Sequence, residues 1–175
     1  MRWMWIDTIV HFEPDQRMVA VKQVSLSEDH LHDHFDAAQA GGMALPIMPA
    51  SLMIEGMAQT AGVLVGSVNR FREKVILAKV VRAEIEADVT PGQSIRYDAS
   101  IERMDAMGAA TTGTIERGRH TLDGMQWATI GRVELMFSHI DHNLSGVVFP
   151  EENFVFSDNF RLVLAGAGLD HLADD

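Results

Sequence analysis

The chain has 175 residues, of which 47% are hydrophobic and 22% charged, a balance typical of a globular protein with a core and not of a disordered one. A formal net charge of −11 disfavours non-specific binding to nucleic acid and to anionic membranes, because both need a basic surface. The absence of cysteine excludes disulfides, thiolate metal sites and a cysteine nucleophile.

The apolar segments favour a cytoplasmic protein. The N-terminal apolar run, residues 3–6, ends at Asp7 and is too short for the core of a secretory signal. Residues 45–68 approach the length of a membrane span but contain Glu55 and Gln59, and an ionised carboxylate at the bilayer centre costs at least roughly 2.5 kcal/mol. We therefore expect a buried helix and no membrane association.

The chain is predicted to begin with a hairpin. Residues 6–12 and 17–24 are strand-like, and the turn-like sequence Glu13-Pro14-Asp15-Gln16 joins them. Residues 25–49 then form a long irregular segment, which is rich in His at first and contains Gly41-Gly42 later. Functional residues are often found in such loops.

A long helix is predicted from Ser51 to about Phe71. Pro49 and Ser51 are typical of a helix start, and the residues that follow are apolar on nearly all sides. The helix contains Gly56, Gly62 and Gly66. Because each glycine costs up to about 1 kcal/mol relative to alanine, we expect a neighbouring element or a ligand to approach the helix closely.

Strand-like runs after the helix indicate an α+β fold. They cover residues 75–81, 94–101, 109–115 and 127–137, with Pro91-Gly92, Met107-Gly108 and residues 117–124 as connections. Strands on both sides of one helix favour an antiparallel sheet that wraps around it.

The chain is interpreted as one domain with an appendage. Residues 1–140 contain no repeat or linker and are predicted to form one folding unit. Residues 141–175 are interpreted as a C-terminal extension that packs on the same domain, with a possible strand at 147–156.

Titratable residues cluster in the segment before the helix: His30, His32, Asp33, His34 and Asp36. The cluster fits a solvated polar loop, and it also fits a general base, since histidine titrates near neutrality. It resembles a His-x-His-x-Asp-His zinc motif with one residue missing, but no clear set of partner ligands follows. We predict no metal and no organic cofactor.

Glu55 is the second candidate, because it lies one turn inside an otherwise apolar helix. Burial favours the protonated form of a carboxyl group, which would suit a general acid. Gln59, at i+4, is placed to hold that carboxyl group by a hydrogen bond. The alternative is that Glu55 reaches solvent or pairs with a basic residue.

Three motifs, in order, resemble the 3-hydroxyacyl-acyl-carrier-protein dehydratases of fatty-acid synthesis. That family has His-Phe, then Pro-(Ile/Val)-Met-Pro-Gly, then Val-Leu-Ile-Ile-Glu-Ala-Met-Ala-Gln. This chain has His34-Phe35, then Pro46-Ile47-Met48-Pro49-Ala50, then Ser51-Leu52-Met53-Ile54-Glu55-Gly56-Met57-Ala58-Gln59. The resemblance covers about residues 3–138.

The resemblance implies a hot-dog fold, in which an antiparallel sheet wraps a central helix, and a homodimer that could assemble further as a trimer of dimers. His34 would remove the α-proton of a 3-hydroxyacyl thioester, and Glu55 of the partner subunit would protonate the departing hydroxyl. The N–H of Ala50 would polarise the thioester carbonyl. Phe35, Pro49 and Gln59 would contact the substrate, which acyl carrier protein or coenzyme A would carry.

The chain departs from the family in three places. The stretch between Phe35 and Pro46 is longer here, Ala50 replaces glycine, and residues 82–88 contain acids where the family often has lysine or arginine. The acids leave the carrier open, and Arg70, Arg72 and Lys74 form the remaining basic patch. A hot-dog thioesterase and a non-catalytic acyl-binding protein are the alternative functions.

Overall fold

The computed structural model describes residues 4–33, 35–39, 41–140 and 158–173. Its elements in chain order are β1 (Thr8–Glu13), β2 (Arg17–Gln23), α1 (Asp29–Asp33), α2 (Ala50–Val68), β3 (Val75–Ile85), β4 (Ser94–Asp105), β5 (Gly108–Thr121), β6 (Gly124–His139), α3 (Asp158–Gly166) and a short 3-10 helix, Asp170–Leu172.

The described strands form one antiparallel sheet in the order β1-β2-β4-β5-β6-β3. Alternate residues of the central strands face α2 and are buried, among them Tyr97 on β4, Ile115 on β5 and Val133 on β6. The period of two follows from strand geometry and gives the sheet one apolar face. The prediction of a sheet around a central helix is confirmed.

The central helix α2 lies on this apolar face. By length and composition it would also be able to cross a membrane, with a mean hydropathy of 1.2, but 67% of its most apolar stretch is buried inside the fold. The apolar character of residues 50–68 is therefore accounted for by packing in the core.

The predicted helix was too long at its C-terminus. The helix ends at Val68, because Arg70 and Phe71 adopt left-handed backbone angles with φ of 52° and 56°. The Phe71 N–H donates to the Gly66 carbonyl at 2.8 Å, and the Phe71 side chain is buried. This bond over one turn, closed by an apolar side chain, is a C-terminal cap that glycine usually provides.

The predicted strands after the helix were too short. Residues 117–121, predicted as part of a connection, continue β5 and pair with the first residues of β6, and the turn is reduced to Leu122 and Asp123. Residues 119–121 are exposed in succession, so the sequence at this end of β5 lacks the alternation of a half-buried strand.

The C-terminal helix α3 packs against β1. Leu164 is buried in a second apolar cluster with Ile9 and Met18. The possible strand at 147–156 lies outside the described residues, and the division of the chain at residue 140 stays a prediction.

Close packing accounts for Gly56. A Cβ atom at this position would lie 2.3 Å from both Cζ and the hydroxyl oxygen of Tyr97, whose ring is fully buried between α2 and β4. Burial, with a smaller effect of Asp7 and Glu28, raises the pKa of this hydroxyl above its usual range, so it stays neutral. The expected close approach to the helix is confirmed at this glycine.

We predict that Gly56→Ala destabilises the protein by about 1–3 kcal/mol, because the added methyl group overlaps the Tyr97 ring. Gly62→Ala is the matched control in the same helix. Its Cβ would lie 3.4 Å from Phe137, an ordinary contact, and alanine should gain up to about 1 kcal/mol in helix propensity. Urea unfolding midpoints at an unchanged m-value would measure both, and equal stability of the two variants would contradict the prediction.

Candidate active site

A cavity of about 500 Å³ lies where the N-terminus of α2 meets the end of β3. Three predicted site residues, Phe35, Pro49 and Ala50, line it together. The apolar part of the wall is completed by Ile47, Met48, Met53, Ile85 and Ala87. Glu86 and Asp88 line the side formed by the segment after β3. The cavity is thus apolar on one side and acidic on another.

The N-terminus of α2 presents free backbone donors to this cavity. Pro49 precedes the helix and provides no side-chain cap, and its carbonyl accepts from the N–H groups of Leu52 and Met53. Among the described residues, no backbone acceptor binds the N–H of Ala50 or Ser51. Free N–H groups and the partial positive charge of a helix N-terminus favour an oxygen atom that carries negative charge.

Glu55 is half-buried, less enclosed than the sequence predicted, and it is bonded as expected. The Gln59 Nε2 donates to Glu55 Oε1 at 3.0 Å. The other end of the Gln59 amide, its Oε1, accepts from the backbone N–H of Trp5 at 2.8 Å. Both ends of this buried amide are therefore engaged within the protein, which makes Gln59 better suited to orient Glu55 than to contact substrate.

Glu55 and Gln59 are not among the described residues that line the cavity. Within one chain, the helix N-terminus and Phe35 lie together at the cavity, whereas the Glu55–Gln59 pair belongs to a separate part of α2. The described residues of one chain thus place two of the predicted site residues, Glu55 and Gln59, outside the cavity wall that contains the other three.

His34 lies outside the described residues, but its two neighbours in the chain, Asp33 and Phe35, are described. Helix α1 ends at Asp33, and Phe35 adopts a left-handed φ of 58° at the cavity wall. A bulky residue in this conformation is unusual and is found mostly where the surroundings enforce it, often at functional sites.

Comparison with known proteins assigns the family. Residues 2–130 match the model of the FabA-like domain. The 3-hydroxyacyl-[acyl-carrier-protein] dehydratase FabZ of Solibacter usitatus is 29% identical over 151 residues, which cover 85% of this chain and 83% of that protein. FabZ of Roseiflexus castenholzii is 30% identical over 141 residues, with 79% and 88% covered. The chain belongs to the FabA-like family.

Solved structures agree on the fold. The dehydratase heterocomplex ApeI:P of Xenorhabdus doucetiae has a TM-score of 0.59 at 14% identity, with 79% of this chain and 84% of that chain covered. A thioesterase family protein of Silicibacter pomeroyi has a TM-score of 0.56 at 14% identity, with 75% and 82% covered. The hot-dog fold is confirmed, and likeness at this identity does not choose between dehydratase and thioesterase. The family does so: the chain is a dehydratase, an enzyme of the lyase class.

In this FabA-like chain, the longer stretch after Phe35 forms a loop whose two ends are joined by a backbone hydrogen bond. The Leu45 N–H donates to the Phe35 carbonyl at 3.0 Å, and inside the loop the Gly42 N–H donates to the Ala37 carbonyl at 2.7 Å. Its described residues are exposed. The additional residues therefore leave and return at one point on the cavity rim, and they need not separate Phe35 from Pro49.

Helix α1 lies within the segment 25–49, which was predicted to be irregular. In the turn that precedes α1, the Glu28 carboxylate accepts from the backbone N–H of Ser25, which is one of the two bonds of a Ser-x-x-Glu capping box. This motif is visible in the sequence and is a known helix-start signal. As for metals, the described residues contain no group of three or more side chains arranged to hold an ion, and His34 is not among those residues.

We predict that Gln59→Met destabilises the FabA-like domain by about 1–3 kcal/mol, because the buried N–H of Trp5 loses its acceptor. Gln126→Met, at an exposed position of β6, should change stability by less than about 0.5 kcal/mol. Denaturant titration of both variants measures the difference. A Gln59 variant as stable as the Gln126 variant would show that this bond does not contribute.

Proposed function

We propose that this enzyme catalyses the reversible dehydration of a 3-hydroxyacyl thioester to a trans-2-enoyl thioester. The observation that carries the proposal is the cavity in which Phe35, the neighbour of His34, lies beside the free N–H groups at the start of α2. This is the combination of a candidate base and an oxyanion-binding group that removal of a proton next to a carbonyl requires.

In the proposed mechanism, neutral His34 takes the proton from C2 of the substrate. The electron pair moves towards the thioester carbonyl, whose oxygen accepts a hydrogen bond from the N–H of Ala50. The enolate then expels the C3 hydroxyl, the C3–O bond breaks, and the proton of Glu55 converts the leaving group into water. Hydration follows the same steps in reverse, with Glu55 as base and His34 as acid. In each direction, one of these two side chains accepts a proton and the other donates one.

The proposed site is formed by two subunits. Glu55 does not line the cavity of its own chain, so the acid would come from the partner. Strand β3 offers the surface for this association: it is an edge strand of the described sheet, and Leu77, Val80 and Val81 on it are 39–46% exposed. A long edge with exposed apolar residues is either covered or prone to aggregation. Pairing of two β3 strands would cover it.

The substrate carrier is proposed to be acyl carrier protein, because the similar FabZ proteins are named for that carrier. Coenzyme A is the alternative; the negative charge of Glu86 and Asp88 on the cavity wall would disfavour an acidic carrier protein and the phosphates of coenzyme A alike, so it does not choose between them. A cytoplasmic location, a role in fatty-acid synthesis and a trimer of dimers are parts of the same proposal.

The catalytic pair is tested with a short 2-enoyl thioester and purified protein. His34→Ala and Glu55→Gln should each lower the hydration rate by about 10²–10⁴-fold, because each removes one partner of acid–base catalysis. Co-expressed subunits, one carrying each change, should form mixed dimers that recover up to one intact site. Loss of conjugated absorbance measures hydration, and release of free thiol measures thioester hydrolysis in the same sample.

Full activity of His34→Ala beside an active wild type would refute the role of His34, and His32 would be the next candidate base. Thiol release without hydration by the wild type would instead favour the thioesterase alternative. Failure of the mixed dimers to recover, with both single variants inactive and folded, would contradict a site shared between subunits.

The β3 interface gives a separate prediction. Val81→Asp should convert the dimer to a monomer, because pairing of two β3 strands would bring two unpaired carboxylates into the interface. Hydration should fall with the dimer fraction, which sedimentation velocity measures. Met107→Asp, in the exposed turn between β4 and β5, is the control and should stay dimeric and active. A fully active monomer would contradict this arrangement.

A further inference from the structure

Lys22 is a buried cation that the proposed mechanism does not use. It lies on β2, where it pairs with Ile95, a residue of the sheet's inner face, and it is only 6% exposed. A lysine buried to this extent is rare unless its ammonium group is fully engaged. Arg17, on the same strand, shows the ordinary alternative: it is 46% exposed by side chain and pairs with Asp98 on β4.

The Lys22 ammonium contacts three oxygen atoms that together surround it. It lies 2.7 Å from Glu28 Oε1, 3.0 Å from the Gln23 carbonyl and 3.4 Å from Asp7 Oδ1. Asp7 is itself held, because its other oxygen accepts from the Gln23 N–H at 2.7 Å. The three donors of the ammonium group therefore each face an acceptor.

Glu28 connects the Lys22 ammonium to the start of helix α1. While one of its oxygens binds Lys22, the other accepts from the Ser25 N–H at 3.0 Å, and its carbonyl accepts from the Leu31 N–H. One carboxylate thus joins the sheet to the turn that leads directly into α1. Leu31 is buried in the core, and the His30 ring packs edge-on against Trp5 at 5.0 Å.

An apolar pair would fill this space at lower desolvation cost, since replacing a buried ion pair with apolar residues is often neutral or stabilising. Unlike an apolar contact, the charged pair is directional: the Glu28 carboxylate keeps one orientation, because it binds both the Lys22 ammonium and the Ser25 N–H. Helix α1 begins at Asp29, directly after Glu28, and ends at Asp33, directly before His34.

We infer that Lys22 is a positioning residue: through Glu28 it fixes the orientation of α1 on the sheet, and so the position of Asp33, the residue to which the candidate base His34 is joined. This inference rests on the proposed function for its catalytic part. Its structural part, the anchoring of α1, can be measured without any substrate.

The test compares Lys22→Met with Arg17→Met, which removes a cation from the same strand but leaves α1 untouched. In Lys22→Met, amide hydrogen exchange of residues 25–33 should become faster, while that of α2 stays unchanged. The kcat for hydration should fall by about 10- to 100-fold at an unchanged KM, because a displaced base slows the chemical step and leaves the binding cavity intact. Arg17→Met should match the wild type in both measurements.

Lys22→Met leaves Glu28 without its partner and could fail to fold, so the double variant Lys22→Met/Glu28→Leu carries the same test without an unpaired buried charge. Unchanged exchange in residues 25–33, or faster exchange with unchanged kcat, would overturn the inference. Failure of both variants to fold would also overturn it, since Lys22 would then be part of the folding core. An inactive wild type would instead refute the proposed function, and the exchange data alone would decide whether Lys22 anchors α1.

Discussion

The contact between Gly56 and the ring of Tyr97 determines how the central helix lies on the sheet. Because position 56 has no side chain, the helix approaches β4 until its backbone meets the aromatic ring. The Tyr97 hydroxyl has no hydrogen-bond partner among the described residues, so this packing is kept at the cost of an unsatisfied polar group. The position of the helix in turn sets the positions of the free N–H groups of Ala50 and Ser51 and of the carboxyl group of Glu55.

The central helix and the succession of elements along the chain could be predicted from the sequence, because their signals are local. The expectation of a simple meander after the helix was wrong for β3, which pairs with β6 and not with β4. A proline and a long apolar run mark the start of α2 within one residue. Its end could not be read in this way, since Arg70 and Phe71 adopt a conformation that sequence rules assign to glycine. The extension of β5 was missed because Arg119 and His120 are strand residues only through pairing with β6.

The candidate site shows the same division between local and distant contacts. The bond between Gln59 and Glu55 follows from their spacing on one helix turn, and it was predicted. The separation of Glu55 from the cavity depends on how α2 lies against β3 and could not be read from spacing. The ion pair between Lys22 and Glu28 joins a strand to a helix that was itself missed, although the capping box before that helix was visible.

The bonds of Gln59 also bear on which oxygen of Glu55 would carry the proton in the proposed mechanism. A carboxamide has one acceptor end and one donor end, and the N–H of Trp5 can bind only to the acceptor. The donor end of Gln59 must therefore face Glu55, where its N–H binds Oε1 as an acceptor. In a protonated Glu55 this bond is strongest with the proton on Oε2, because the carbonyl oxygen of a carboxylic acid is a better acceptor than its hydroxyl oxygen. In the proposed mechanism, the backbone of Trp5 would therefore act through one buried amide to favour Oε2 as the oxygen that gives the proton to the leaving hydroxyl.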